Sequence, residues 1–235
     1  MITKKELKSI SSLRLKKNRK ELGQFVAEGT KTVEALIESG LAPSALYATQ
    51  ESDLDQVTLV GQKDMERMTL LKNASPMLGL FSIPSEPSLP TKGRVLVLDA
   101  IADPGNFGTI IRLCDWFGIE HILCSEDTVD CYNPKVVQAT MGSLARVYCH
   151  YTDLNIFLSQ SDLPIYGTFL EGESIYETSF PENAMLVLGS ESHGISPAIE
   201  ALVTCRVTIP RKVKQGPESL NVAIAGALTL GEFCQ

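Results

Sequence analysis

Apolar residues in this chain gather in short runs, and most runs lead into a segment with the three-to-four residue spacing of a helix. The pattern is most regular after residue 93. Arg94–Leu98 predicts a strand, Gly105–Gly118 a helix, Ile122–Cys124 a strand and Pro134–Leu144 a helix. Further strands are predicted at Val147–His150, Ile165–Phe169, Met185–Leu188 and Val207–Ile209. Helices at Leu154–Ser159, Pro197–Leu202 and Leu220–Phe233 are interspersed with them. Apolar strands alternating with helices imply a parallel sheet covered on both faces, because crossover helices lie on the faces.

The earlier part is a smaller α/β pattern. Strands are expected at Gln24–Ala27, Leu46–Ala48, Gln56–Val60 and Met77–Ile83, with helices at Thr30–Ser39 and Lys63–Leu71. Between the two parts lies Pro84–Gly93, with three prolines and a glycine that no helix or central strand can continue through. This divides the chain into a small α/β domain at 1–84, a linker at 85–93 and an α/β domain at 94–235.

Composition refines this picture. Hydrophobic residues make up 44% and charged residues 21%, as in ordinary globular proteins. No apolar run approaches the length of a bilayer span, and no signal-peptide core follows the N-terminal lysines. The six cysteines (114, 124, 131, 149, 205, 234) form no Cys-x-x-Cys pair. Reduced thiols in a cytoplasmic protein are expected rather than a disulfide framework. The net charge of −7 argues against a nucleic-acid binder until it is divided. Residues 1–20 carry Lys4, Lys5, Lys8, Arg14, Lys16, Lys17, Arg19 and Lys20 against Glu6 alone. A basic arm on an acidic body is either a solvated helix face or a phosphate-binding element.

Ligands of parallel sheets bind beyond the carboxyl ends of the strands, which directs attention to three loops. The first runs from Asp99 to Arg112 and lacks the Gly-x-Gly-x-x-Gly spacing of a dinucleotide site. It places Asn106 in the first turn of a helix and Arg112 among apolar neighbours, where it is either an ordinary helix-surface arginine or a buried charge that needs a partner. The second, Leu186–Ser196, has glycines at 189 and 194 that permit close backbone approach. Glu191 lies in this loop and is expected to orient another group. His193 has no neighbouring ligand motif, so it is read as a loop residue rather than a metal ligand, and no metal site is expected. Ser196-Pro197 has the form of a helix start. The third, Ile209–Asn221, is basic and ends in Ser219, an expected N-cap for a last helix that is apolar all round. Such a helix is buried in the core or against another subunit.

Together the three loops resemble the motifs of the SpoU–TrmH family of RNA ribose 2′-O-methyltransferases, in the SPOUT class. Asn106-x-Gly108-x-x-x-Arg112 is similar to the first motif, Leu188–Ser196 to the second, and Ile209-Pro210 with Ser219-Leu220-Asn221 to the third. Phe25–Leu36 resembles the start of the small L30-like substrate-binding domain of many members. Two departures bear on loop shape: Ser192 stands where the family often has glycine, and the Pro210–Ser219 loop is longer, with Arg211 in place of methionine.

The resemblance implies S-adenosylmethionine as methyl donor, a deep trefoil knot in the C-terminal domain and a homodimer. It implies cofactor contacts from Gly189, Ile209 and Leu220, mostly through backbone, with Thr168 beside them. Arg112 would act on the ribose hydroxyl, as a base or by positioning and charge. Asn106, Glu191, Ser219 and Asn221 would shape the site. The implied partner is RNA, ribosomal rather than transfer because of the additional N-terminal domain, with no membrane or DNA partner. The basic arm, with Arg206, Arg211, Lys212 and Lys214, would then track phosphates, so deleting residues 1–20 should weaken RNA binding and its salt dependence. The same chemistry on transfer RNA, and a catalytically silent RNA-binding protein on this fold, are the alternatives. A nicotinamide oxidoreductase is disfavoured by the missing glycine fingerprint.

Overall fold

The computed structural model describes residues 2–213 and 218–235, which form two compact units. One comprises the chain through Ser85 together with Asp130–Arg146; the other comprises Glu86–Val129 and Val147–Gln235.

The first unit begins with α1 (Lys4–Ser12) and α2 (Lys16–Leu22). Thr3 and Glu6 form a reciprocal capping box that starts α1. β1 (Gln24–Glu28), α3 (Thr30–Glu38), β2 (Pro43–Ala48), β3 (Val57–Leu59), α4 (Gln62–Met68) and β4 (Met77–Ser82) follow. The four strands form one sheet in the order β1-β4-β2-β3, with β1 and β2 antiparallel to β4 and β3 parallel to β2.

The basic segment is therefore not a free arm. Leu7, Ile10 and Leu13 are buried with Val26, Tyr47, Met65, Met68 and Leu78 in the core of this unit. The lysines lie on the opposite, exposed face, as in any amphipathic helix. Arg19 departs from its expected role. It is 3% exposed, donates to the carbonyls of Leu13 (2.7 Å) and Arg14 (3.0 Å), and pairs with Asp130. A buried guanidinium needs this full set of acceptors, so it is not offered to phosphate.

The second unit opens with β5 (Arg94–Leu98), α5 (Pro104–Phe117) and β6 (His121–Cys124). The chain then enters the first unit for α6 (Pro134–Thr140) and a short 3-10 turn at Ser143–Ala145. The sequence pattern places this helix with the later domain; its packing is with the first. Tyr132 lies against Phe25 with ring centroids 4.9 Å apart, and a side chain at Gly142 would strike Ala35. Apolar spacing identifies a helix face but not the core that receives it.

The chain returns with β7 (Tyr148–Tyr151), α7 (Leu154–Ser159), β8 (Ile165–Ser174), β9 (Ala184–Leu188), α8 (Pro197–Glu200), β10 (Cys205–Thr208) and α9 (Val222–Phe233). Its six strands form a wholly parallel sheet in the order β10-β8-β9-β5-β6-β7. Side chains alternate across it. Val95, Val97, Met185 and Val187 pack with Leu154, Leu158 and Ile199 of α7 and α8. On the other face α9 approaches closely: a side chain at Gly226 would lie 3.1 Å from Leu188 and 4.0 Å from Ile110. Residues 95 to 98 are all fully buried, which is why this strand reads as an unbroken apolar run. Among the described residues no helix is long and apolar enough to cross a membrane.

Candidate active site

Three chain segments of the second unit converge on one point. The first is the start of α5. Asp103 caps it by accepting the Asn106 amide at 2.8 Å, and Pro104 occupies the first helical position. Phe107, Ile110, Ile111 and Cys114 face inward and are fully buried. The helical period therefore turns Arg112 outward. Its apolar sequence neighbours line the core while Arg112 itself is exposed, with no hydrogen bond or ion pair among the described residues. The partner expected for a buried charge is not required.

The second segment is the loop after β9. Ser190 and Gly194 exchange two backbone hydrogen bonds, both 2.9 Å, which folds Glu191 to the tip of a tight turn. Gly194 has φ of +69°, a left-handed conformation open to glycine. A Cβ at Gly189 would lie 2.1 Å from the carbonyl carbon of Gly194. Gly189 is thus demanded by the loop's own backbone. His193 is exposed, with its ring nitrogen 2.8 Å from the Ser192 hydroxyl.

The third segment is the start of α9. Asn221, not Ser219, is its N-cap, accepting the amides of Ala223 (3.0 Å) and Ile224 (3.3 Å). Ser219 was expected to cap because serine favours that position. The helix begins two residues later than expected, at Val222, and Ser219 is left exposed without a side-chain hydrogen bond among the described residues. Ser196 precedes α8 without a side-chain cap; its amide instead donates to Asp99 at 2.7 Å.

A chain of side-chain hydrogen bonds joins the three segments. Asn221 Nδ2 donates to Asn106 Oδ1 at 3.0 Å, and Asn106 Nδ2 donates to Glu191 Oε1 at 2.6 Å. Its direction is forced. The helix amides claim the Asn221 oxygen, so its NH2 turns to Asn106, whose own NH2 then meets the carboxylate. The start of α5 and that of α9 both present the positive end of a helix dipole, which suits a carboxylate. Of the five residues expected to act, the fold links Asn106, Glu191 and Asn221. Among the described residues no hydrogen bond joins Arg112 or Ser219 to them.

The four residues expected to hold a cofactor lie on the same unit. Thr168 Oγ1 donates to the Val187 carbonyl at 3.1 Å. Thr168 also stands at a register shift, where the pairing of β8 with β10 passes from Gly167 to Glu173. The backbone N–H and C=O of Gly189, Ile209 and Leu220 have no hydrogen-bond partner among the described residues. Free main-chain groups, at Gly189 with no room for a side chain, suit a heterocycle read by backbone contacts.

The basic residues divide. Arg206 pairs with Glu200 and lies 3.6 Å over the Phe169 ring, so it is engaged within the fold. Arg211 and Lys212 are exposed, and Lys214 lies outside the described residues. A cleft of about 290 Å³ opens beyond the ends of β5, β6 and β7, lined by Asp99, Ser125, Glu126, Asp153 and Ser196 among others. None of the residues expected to act or to hold the cofactor lines it. The sequence reading also missed Asp99, which is 6% exposed and ties the first loop to the second. Its position at the end of an apolar strand was the available signal.

Comparison with known proteins fits this geometry. Residues 93–231 match the family model described as SpoU rRNA Methylase family, and residues 4–76 match an MRM3-like substrate binding domain. The 23S rRNA (guanosine(2553)-2′-O)-methyltransferase RlmP of Bacillus subtilis is 27% identical over 95% of this chain and 93% of its own length. A TrmH-family structure from Porphyromonas gingivalis superposes with a TM-score of 0.86 at 36% identity, covering 99% of this chain and 98% of that one. The AdoMet-bound rRNA methyltransferase of Sinorhizobium meliloti does so at 0.84 and 26% identity, covering 99% and 95%. With its three motif loops brought to one point on a parallel sheet, and its family match spanning more than half its length, the chain belongs to the SpoU rRNA Methylase family.

Proposed function

We propose that this protein transfers a methyl group from S-adenosylmethionine to a ribose 2′-hydroxyl of ribosomal RNA. The observation that carries the reading is the Asn221–Asn106–Glu191 hydrogen-bond chain, which unites the three motifs, with Arg112 exposed on the same helix as Asn106. The sulfonium of S-adenosylmethionine supplies an electrophilic methyl when bound. Backbone groups of Gly189, Ile209 and Leu220 hold the donor, with Thr168 beside them. Arg112 is exposed and holds the ribose hydroxyl and an adjacent phosphate through its charge. A guanidinium offers donors and no acceptor, so it positions the hydroxyl rather than taking its proton, which passes to an RNA phosphate oxygen or to solvent. Asn106, Glu191 and Asn221 keep the surrounding loops in place, and Ser219 lies exposed on the same loop as Leu220 to meet substrate. The rRNA named in the RlmP and Sinorhizobium relatives, and the substrate-binding domain match, support ribosomal over transfer RNA.

This reading includes a C-terminal trefoil knot, as the family resemblance implies, and a cytoplasmic setting, supported by six cysteines that remain thiols. It also includes a homodimer. Ile224 and Leu228 form an exposed apolar stripe along α9, Leu220 is exposed just before it, and Trp116 on the adjoining α5 is 84% exposed. Apolar surface of this kind marks an interface.

The test is transfer of tritiated methyl from S-adenosylmethionine to purified ribosomal and transfer RNA, followed by digestion to nucleosides. Labelled 2′-O-methylnucleoside from ribosomal RNA is expected. Label in transfer RNA alone would reassign the substrate. Cofactor and RNA binding without label in either would leave a silent RNA-binding protein.

A further inference from the structure

The β5–α5 loop contains a strained residue whose restraint comes from outside the three motifs. Ala100 has φ of +58°, a left-handed conformation that a side chain disfavours. Such backbone persists where its surroundings over-determine it. Here the surroundings are two hydroxyls in the segment after β6. The Ala100 amide donates to Ser125 Oγ at 2.8 Å, and the Ile101 amide donates to Thr128 Oγ1 at 3.3 Å. Thr128 donates to the Leu98 carbonyl at 3.3 Å and is 2% exposed. Ser125 and Thr128 lie 2.9 Å apart.

Each hydroxyl has one proton, so the direction of every bond follows. Thr128 spends its proton on Leu98, so Ser125 donates to Thr128, and each oxygen accepts one loop amide. Backbone bonds from Ser125 to Leu98 (3.0 Å) and from Val129 to Ile101 (2.9 Å) close the clamp. Three residues after Ala100, Asp103 caps α5 and sets the amide end from which Asn106 projects.

We propose that Ser125 and Thr128 are positioning residues for methyl transfer: their paired hydroxyls hold the Ala100 turn, and so hold Asn106 in register with Glu191 and Asn221. Neither hydroxyl bonds to Asn106, Arg112, Glu191 or Asn221; their partners are the loop backbone and each other. The inference rests on the function proposed above for its kinetic readout, but its structural readout is independent. Thr128→Val removes the hydroxyl at constant shape and leaves a buried amide unpaired; Thr128→Ser keeps the hydroxyl; Ala100→Gly removes the conformational strain.

The experiment combines methyl-transfer kinetics on ribosomal RNA with NMR of the Asn106 side-chain amide, assigned by its loss in Asn106→Ala, and a thermal melt of each variant. Ser125→Ala and Thr128→Val should shift the Asn106 amide and lower kcat by about 10- to 100-fold, the scale of a small misplacement. KM for S-adenosylmethionine should stay within about threefold, as expected when ground-state binding is untouched. Thr128→Ser should retain the wild-type amide shift and rate. Adding Ala100→Gly to Ser125→Ala should restore both the shift and the rate, whatever the melting temperature. A folded Thr128→Val with unmoved Asn106 amide and normal kcat overturns the proposal. So does a loss in Ser125→Ala that Ala100→Gly does not recover. If the wild type methylates no RNA, the functional reading fails, and the amide shifts and their recovery still decide the positioning role.

Discussion

Asn106 Nδ2 donates to Glu191 Oε1 at 2.6 Å, joining residues 85 positions apart in the chain. A hydrogen bond to a carboxylate contributes about 1.5–3 kcal/mol. If that energy holds the site in its working form, Asn106→Ala should lower kcat by about 10- to 100-fold, at tenfold per 1.36 kcal/mol. Glu191→Gln retains an acceptor but loses the charge and should cost less, about tenfold at most. Steady-state methyl-transfer rates on both variants check the order.

Arg112 is exposed and has no ion pair among the described residues, so its removal leaves no orphaned partner there. Arg112→Ala should abolish methylation, keep its unfolding free energy within about 0.5 kcal/mol of wild type, as surface changes do, and bind S-adenosylmethionine normally. Calorimetric titration with the cofactor and a tritiated-methyl assay measure the two halves. Near-normal turnover would remove Arg112 from the site.

Deleting residues 1–20 does not isolate the contribution of charge. The deletion takes Leu7, Ile10 and Leu13 from the core of the first unit, and truncating one such side chain alone costs about 2–5 kcal/mol. Replacing Lys4, Lys5, Lys8, Lys17 and Lys20 with Gln keeps the helices and removes exposed charge. RNA affinity should fall, and the slope of log K against log salt should lose about 0.7–0.9 for each phosphate contact removed. An unchanged slope would mark these lysines as a solvated face.

Trp116 is the sole tryptophan and is 84% exposed, which makes it a reporter of the proposed dimer. Its emission should shift to shorter wavelength as protein concentration rises through the association range. Leu228→Glu, on the apolar stripe of α9, should abolish that shift and yield a monomer in sedimentation equilibrium. Emission independent of concentration, with a monomer throughout, would exclude this surface.

His150 is 3% exposed and its Nε2 lies 3.0 Å from His121 Nδ1. Burial, with His121 beside it, pushes His150 below its ordinary value, against a smaller opposing pull from Glu86. The unfolded chain therefore binds a proton here more readily than the folded one does. Stability from this group is present above the ordinary histidine value, about 6.5, and is lost as pH falls through the lower folded value. Melting temperature should drop between neutral and mildly acid pH, and His150→Phe should flatten that dependence. A parallel curve for the variant would assign the acid loss to other groups.

Much of this was legible along the chain. The run Arg94–Leu98, the capped start of α5 and the small-residue helix α9 follow from apolar period and capping chemistry, which act over a few residues. The grouping of Asn106, Glu191 and Asn221 was legible only through motif resemblance. Pattern reasoning erred where a local preference was outweighed. Ser219 is a good cap, but Asn221 meets two amides of α9 with its own side chain. For Arg112 among isoleucines, pattern left burial and surface equally open until the helical turn was laid down.

What sequence alone determined was the alternation of apolar strands and helices and the side chains available for chemistry. What only the tertiary structure decided was where distant pieces meet. It gave α6 to the first unit, buried Arg19 against Asp130, and turned Glu191 toward Asn106. The physical reason is range. Periodicity and capping are settled within one or two turns of chain, whereas partner choice depends on which buried surface or unpaired polar group lies across the fold, and that is fixed when the whole chain packs.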